Sequence, residues 1–161
     1  MLFDQLAVLR DAERQLVQAL PKVAAAATNP QLREAVEHHH EETRRQAQRL
    51  DTIFGRLGGG ARSGSDDVMT ALVADAQRFI DATGDAASRD AALIGAAQRV
   101  EHHEIAAYGT ARTVADELGL EEVRDLLNET LDEESNADTL LTKIATGGMF
   151  RSGVNQAAAD S

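Results

Sequence analysis

Residues 57–87 read LGGGARSGSDDVMTALVADAQRFIDATGDAA and separate two long segments of helical character. Gly58 to Gly60 and the Ser/Gly-rich run to Ser65 cannot continue a helix, because glycine is costly in helix interiors and populates left-handed backbone freely. Asp66 or Ser65 can then cap a shorter helix that reaches Thr83. Upstream, the first segment runs from about Leu2 to Ala27, carries Leu6, Leu9, Leu16 and Leu20 at three- and four-residue steps, and should bend at Pro21. Thr28-Asn29-Pro30 is a break followed by a new start, with Asn29 as N-cap and Pro30 at the first helical position of a second helix ending near Leu57. Downstream, one helix is predicted from about Ala87 to Leu118, stopping at Gly119. Another runs from Glu121 to about Thr146, stopping at Gly147-Gly148.

The plan is two long helices, a crossover of about thirty residues, and two more long helices, with short links inside each pair. This is the connectivity of a ferritin-like four-helix bundle, all-α, with a short extra helix in the crossover. Residues 1–147 are read as that bundle and residues 148–161 as a disordered C-terminal tail.

Composition agrees. Apolar residues are 43% of the 161 and aromatic residues only 3%, a palette of Ala, Leu and Val suited to closely packed helices. A formal charge of −11 argues against nucleic acid or an anionic membrane as partner. The chain has no Cys, so any metal must be held by carboxylate oxygen and imidazole nitrogen. Neither a signal-like N-terminus nor a run of eighteen apolar residues is present, and a cytoplasmic protein is the expectation.

On a helical wheel, an acid interrupts the apolar stripe of each long helix. Glu13 continues the series Leu6, Leu9, Leu16, Leu20. On the second helix His39 lies at the centre of the stripe through Leu32, Val36, Ala47, Leu50, Phe54 and Leu57, with Glu42 at its margin. On the helix after the crossover, Glu104 lies amid Leu93, Ala97, Val100, Ala107, Ala111 and Leu118, with Glu101 one turn earlier and Tyr108 one turn later. On the last helix Leu126, Ala137, Leu140 and Ile144 flank Glu133 and Thr130, with Glu134 as a neighbour that could replace Glu133. Acids from four helices turned toward one axis would repel one another unless something positive sits between them. Two divalent ions, Fe or Mn, would satisfy both the charge and the ligand types, with bridging glutamates holding them about 3.5–4 Å apart.

Di-iron bundles pair each of two helices' Glu-x-x-His motifs with single Glu residues from the other two. Here the literal Glu-x-x-His, Glu37 to His40, places Glu37 off the stripe, so His39 and Glu42 in reversed order are preferred. His38 and His102 are read as solvent-facing. Against the metal reading stands the ordinary one, in which Arg14, Arg44, Arg45 and Arg99 pair with these acids as helix salt bridges. Tyr108 is read first as a core residue with a satisfied hydroxyl.

Asp11-Ala-Glu-Arg-Gln-Leu16 with Ala19-Leu-Pro-Lys22, His39-His-Glu-Glu-Thr43, Asp90-Ala-Ala-Leu-Ile94, Gln98-Arg-Val-Glu-His102 with Glu104-Ile-Ala-Ala-Tyr-Gly109, and Glu129-Thr-Leu-Asp-Glu-Glu134 resemble the YciE/YciF family of ferritin-like bacterial stress proteins. The likeness spans roughly residues 2–146 and is most specific from Gln98 to Gly109. It implies a helical homodimer with a di-metal centre in each protomer and a part in bacterial stress responses, without a settled reaction. Matching positions are Glu13, His39, Glu42, Glu101, Glu104 and Glu133. His40 stands where an apolar residue is more usual, and Arg10 where an aromatic is.

Two functions from different classes follow. One is a di-metal carboxylate protein whose Fe or Mn ions react with dioxygen or peroxide; the other is a non-catalytic stress or interaction protein whose inward acids are structural. A third, an oxygenase acting on an organic substrate, requires an apolar channel to the centre.

Overall fold

The computed structural model describes residues 1–59, 63–148 and 151–160. Its elements are α1 (Leu2–Ala26), α2 (Pro30–Arg56), α3 (Asp67–Ile80), α4 (Ala86–Glu117), α5 (Glu121–Thr146), a two-residue pair of strands, β1 (Gly147–Gly148) with β2 (Arg151–Ser152), and α6 (Val154–Ala159). α1 packs chiefly on α2 and α4 on α5, while α2 meets α5 and α1 meets α4 to close the bundle. The short crossover helix α3 lies against α1 and α4. The all-α bundle with an extra helix in its crossover is therefore the observed architecture.

Helix ends fall within a few residues of expectation, for the local reasons expected. The Asn29 side chain accepts from the backbone N–H groups of Gln31 and Leu32, and Pro30 occupies the first turn, where its missing N–H costs nothing. Asp66, not Ser65, caps α3 by accepting from Met69 N at 2.7 Å. Gly119 takes φ 68, the left-handed backbone that stops α4 without steric cost. α1 runs through Pro21 to Ala26 with the proline on its exposed side.

The crossover is anchored more firmly than its composition suggests, although Gly60 to Arg62 of the expected flexible loop lie outside the described residues. A Cβ on Gly64 would sit 2.5 Å from the Ala7 carbonyl carbon, so only glycine lets the chain lie this close to α1. Asp11 on α1 accepts from Asp66 N at 2.9 Å, and His103 Nε2 on α4 lies 2.8 Å from Asp66 Oδ2.

The disordered tail expected beyond Gly148 requires correction. Residues 154–159 form α6, which packs on α4 and α5 with Val154 buried in the core, leaving residues 149–150 and 161 outside the described set. Small polar and glycine-rich composition masked one apolar anchor, Val154.

The core falls into two apolar clusters. One holds Leu16, Leu20, Leu32, Val36, Met69, Leu93, Ile94 and Leu141; the other holds Leu6, Leu9, Leu50, Ile53, Phe54, Tyr108 and Leu127. Arg10, the residue where an aromatic is more usual, stacks its guanidinium 4.3 Å from the Phe54 ring centroid and so retains an aromatic contact.

Buried Asp90 ties the start of α4 to the α1–α2 turn by accepting from Thr28 N at 2.9 Å, Asn29 N at 2.6 Å and the Thr28 hydroxyl at 2.6 Å. Asp90→Ala leaves these donors without their acceptor, and urea unfolding should report a loss of about 2–4 kcal/mol. A loss below about 0.5 kcal/mol would contradict this role for Asp90.

Candidate metal centre

Between the two apolar clusters lies a layer of ionisable side chains. Glu13 from α1, His39 from α2, Glu101 and Glu104 from α4, and Glu134 from α5 are all at most 6% exposed. One ligand atom each from His39, Glu101, Glu104 and Glu134 lies within 4.8 Å of the others, a spacing at which they could hold a metal ion. Each residue arrives by helical phase. Glu101 and Glu104 are one turn apart on α4 and face the same way, and Glu134 continues the buried stripe Val123, Leu127, Thr130 on α5.

His39 is the hinge of the arrangement. Its Nε2 faces Glu101 at 3.4 Å and Glu134 at 3.7 Å, while its Nδ1 faces Glu42 at 3.6 Å. Glu42 therefore lies at the opposite ring nitrogen from the converging set, 16% exposed and also 3.3 Å from His38 Nδ1. Glu13 accepts a short hydrogen bond from the Tyr108 hydroxyl. Gln46 donates to Glu134 through a similarly short bond and to Glu133 at 3.0 Å.

The electrostatics follow from burial. Burial, reinforced by Glu134, pushes the Glu13 carboxyl up to about 8. Glu104 is held well above the carboxylate range by burial and then by Glu13, Glu134 and Glu101. Glu101 is likewise raised by burial, although His39 opposes the shift. Burial alone would lower His39, but Glu101, Glu42, Glu134 and Glu13 overcome it and push the imidazole up to about 10. Tyr108 is raised by burial and the adjacent acids, so its hydroxyl keeps its proton.

The expected residues are thus partly together. Glu13, His39, Glu101 and Glu104 are gathered, and Glu42 sits behind His39. Glu133 is a correction: 19% exposed, it pairs with Arg49 at 3.0 Å, and Glu134 takes the inward position. The reason is one of phase. Leu126 and Leu127 are both apolar, and only the series through Val123 and Thr130 identifies Leu127, and hence Glu134, as inward. Glu37 is exposed, so the Glu37/His40 alternative does not reach the layer. Thr43 and Gln46, fully buried on α2, were hidden by their polarity. Of the arginines weighed against the metal reading, Arg44 pairs with Glu41 and Arg99 with Asp75, while, behind the larger effect of His39, Arg45 helps hold the Glu42 carboxyl below the usual range; Arg49, not among them, pairs with Glu129 and Glu133.

A donor set of carboxylates and one imidazole suits Fe²⁺ or Mn²⁺. Fit is also visible in what the layer leaves unmet: Glu13 Oε2, both His39 nitrogens, Glu101 Oε2, both Glu104 oxygens and Glu134 Oε2 are buried without hydrogen-bond partners. Buried polar atoms are ordinarily satisfied, and their concentration here coincides with the cluster that could hold a metal ion.

A family model described as a domain of unknown function, DUF892, matches residues 1–159. The chain belongs to the DUF892 family. Within it, Protein YciF of Escherichia coli K12 is 41% identical over 147 residues, 91% of this chain and 89% of that protein. The crystal structure of the E. coli stress protein YciF superposes with a TM-score of 0.85 at 40% identity, covering 88% of this chain and 90% of that one. YcfI of Rhodopseudomonas palustris gives a TM-score of 0.86 at 37% identity over 89% and 92% of the two chains. A protein of Xanthomonas campestris shares the fold, with a TM-score of 0.70 at 21% identity over 88% and 86%. The resemblance carried by Gln98 to Gly109 is thus a family relationship for DUF892.

Glu13 has a folded value of about 8 against an ordinary 4.5, so its proton is bound more tightly in the fold. That contribution to stability is full below pH 4.5 and is lost as pH rises through 8; His39 acts in the same sense from 6.5 to about 10. The melting temperature of chelator-treated protein should therefore fall between pH 5 and 8. Glu104→Gln, which removes one member of the repelling set, should raise the melting temperature at pH 8 and flatten the slope. An unchanged slope in Glu104→Gln would contradict the coupling.

Proposed function

We propose that this chain is a di-metal carboxylate protein of the bacterial stress response, whose paired Fe or Mn ions react with dioxygen or peroxide. The observation that carries the reading is the set of unpartnered buried oxygens and nitrogens contributed by four helices to one layer. Glu13, His39, Glu101, Glu104 and Glu134 would hold the ions. Bound there, Fe or Mn supplies the redox change that reduction of dioxygen or peroxide requires.

The remaining tasks fall to the chain. Glu42 faces His39 Nδ1 and fixes the ring so that Nε2 points into the layer, the part an orienting carboxylate plays beside a ligating histidine. Tyr108 fixes Glu13 and Gln46 fixes Glu134. Because His39 and Glu13 retain protons well into neutral pH, loading must displace them, and affinity should rise with pH. The apolar clusters above and below keep bulk water from the layer. A homodimer in the cytoplasm is the assembly and place proposed with this function. Among the described residues no helix is long and apolar enough to cross a membrane.

A second reading has its own support. A protonated His39 among part-protonated glutamates can balance much of the charge without metal, and a structural role has been suggested for the Rhodopseudomonas palustris relative. That reading makes the chain a non-catalytic stress or interaction protein.

Metal analysis separates the two. After saturation with Mn²⁺ or Fe²⁺ and gel filtration, the chain should retain about two equivalents. Glu104→Gln and Glu13→Gln should each lower this to about one or less, whereas Glu133→Gln should retain the full load. The loaded protein should also consume hydrogen peroxide faster than an equal concentration of free ions. No retained metal at saturation would leave the structural reading standing.

A further inference from the structure

We infer that the cavity beside the ionisable layer is a binding site for a small molecule with an unbranched aliphatic chain, its polar end against His39 and Glu101. The cavity measures about 120 Å³ and is bounded by residues of α1, α2, α3, α4 and α5. An apolar cavity of roughly 150 Å³ accommodates a six-carbon ring, so this one has room for about five non-hydrogen atoms, with any longer chain extending toward solvent.

The chemistry of the wall selects the occupant. Leu20, Val36, Val73, Leu93, Val100 and Leu141 stand for a lining that is aliphatic and contains no Phe, Tyr or Trp. The polar lining is confined to His38, His39, Glu42, Glu101 and Asn136, residues of the layer or its edge. Water is poorly served by such a wall, because a buried water needs two to four polar partners. The space opens to solvent only past His38, Asn136 and Leu140, and its small volume is too little for a partner helix to enter. A flexible alkyl chain matches both the small section and the aliphatic surface.

A second observation shows that the polar end is meant to meet something. His39 is 6% exposed and Glu101 2%, both line the cavity, Glu101 Oε2 has no hydrogen-bond partner, and the His39 nitrogens meet only the carboxylates of Glu42, Glu101 and Glu134, at 3.4–3.7 Å. The cavity thus joins an apolar slot to unmet polar atoms, the form of a small-molecule site rather than of a packing defect. That this occupant is the substrate rests on the di-metal reading above; that the slot takes an aliphatic chain does not.

The test uses the full chain, both metal-free and loaded with Mn²⁺, and calorimetric titration with the n-alkanols from ethanol to octanol. Affinity should rise about fourfold per added methylene, as expected for burial of each CH₂, and level off near pentanol. Ala97 and Ala137 line the cavity and are only partly buried, so Ala97→Phe and Ala137→Phe fill it from two different helices. Each folded variant should bind octanol at least tenfold more weakly while retaining the wild-type melting temperature and Mn²⁺ stoichiometry. Affinity independent of chain length, or octanol binding unchanged in a folded filled variant, overturns the inference. So does a change of oligomeric mass on filling when the wild type binds no octanol, since the slot is then an interface. Mn²⁺ uptake without octanol binding refutes the slot and spares the metal centre, whereas octanol binding without Mn²⁺ uptake upholds the slot and refutes the metal centre.

Discussion

Four glutamates and one histidine share one buried layer of this bundle, and the repulsion among the glutamates is the constraint around which the rest is arranged. Moving a carboxylate from water into a protein interior costs several kcal/mol, and neighbouring carboxylates add to that cost. Glu13, Glu101, Glu104 and Glu134 face this together, with His39 as the one cationic group among them. The fold accepts the arrangement because leucine-rich clusters on both sides of the layer supply the burial that holds four helices together.

Around that layer the polar contacts divide into two kinds. Tyr108, Gln46 and Glu42 each touch one member and restrict its orientation, a shell that keeps the carboxylates and the imidazole from collapsing onto one another. Arg49 and Asp66 work farther out. Arg49 spans α2 and α5 through Glu129 and Glu133, and Asp66 joins the crossover to α1 and α4 through Asp11 and His103. These links make the spacing of the helices, and hence of the layer, a property of the whole bundle.

Much of this was legible in the chain. Asn29-Pro30, Asp66 and Gly119 act locally, so their effects could be read from neighbours in sequence. Glu13, His39 and Glu104 were legible because each is an ionisable residue at the centre of an otherwise apolar stripe, and that contradiction is visible without coordinates. The choice between Glu133 and Glu134 was not, because two adjacent leucines leave the helix phase open by one residue. Gln46 and Thr43 escaped because a buried polar residue with a partner leaves no trace in an apolar pattern. The packed α6 was missed because its docking depends on a single valine meeting a surface formed by α4 and α5, a tertiary relation with no local signature. The same holds for the aliphatic cavity, whose walls come from five helices.

The central claim, that divalent ions balance this layer, is tested most directly by anomalous scattering from crystals of the full chain soaked separately in Mn²⁺ and Fe²⁺. The account predicts two strong peaks per protomer, enclosed by Glu13, His39, Glu101, Glu104 and Glu134, with Glu133 still paired to Arg49. Featureless anomalous density there, with His39 resting against the glutamates as their counter-ion, would contradict it.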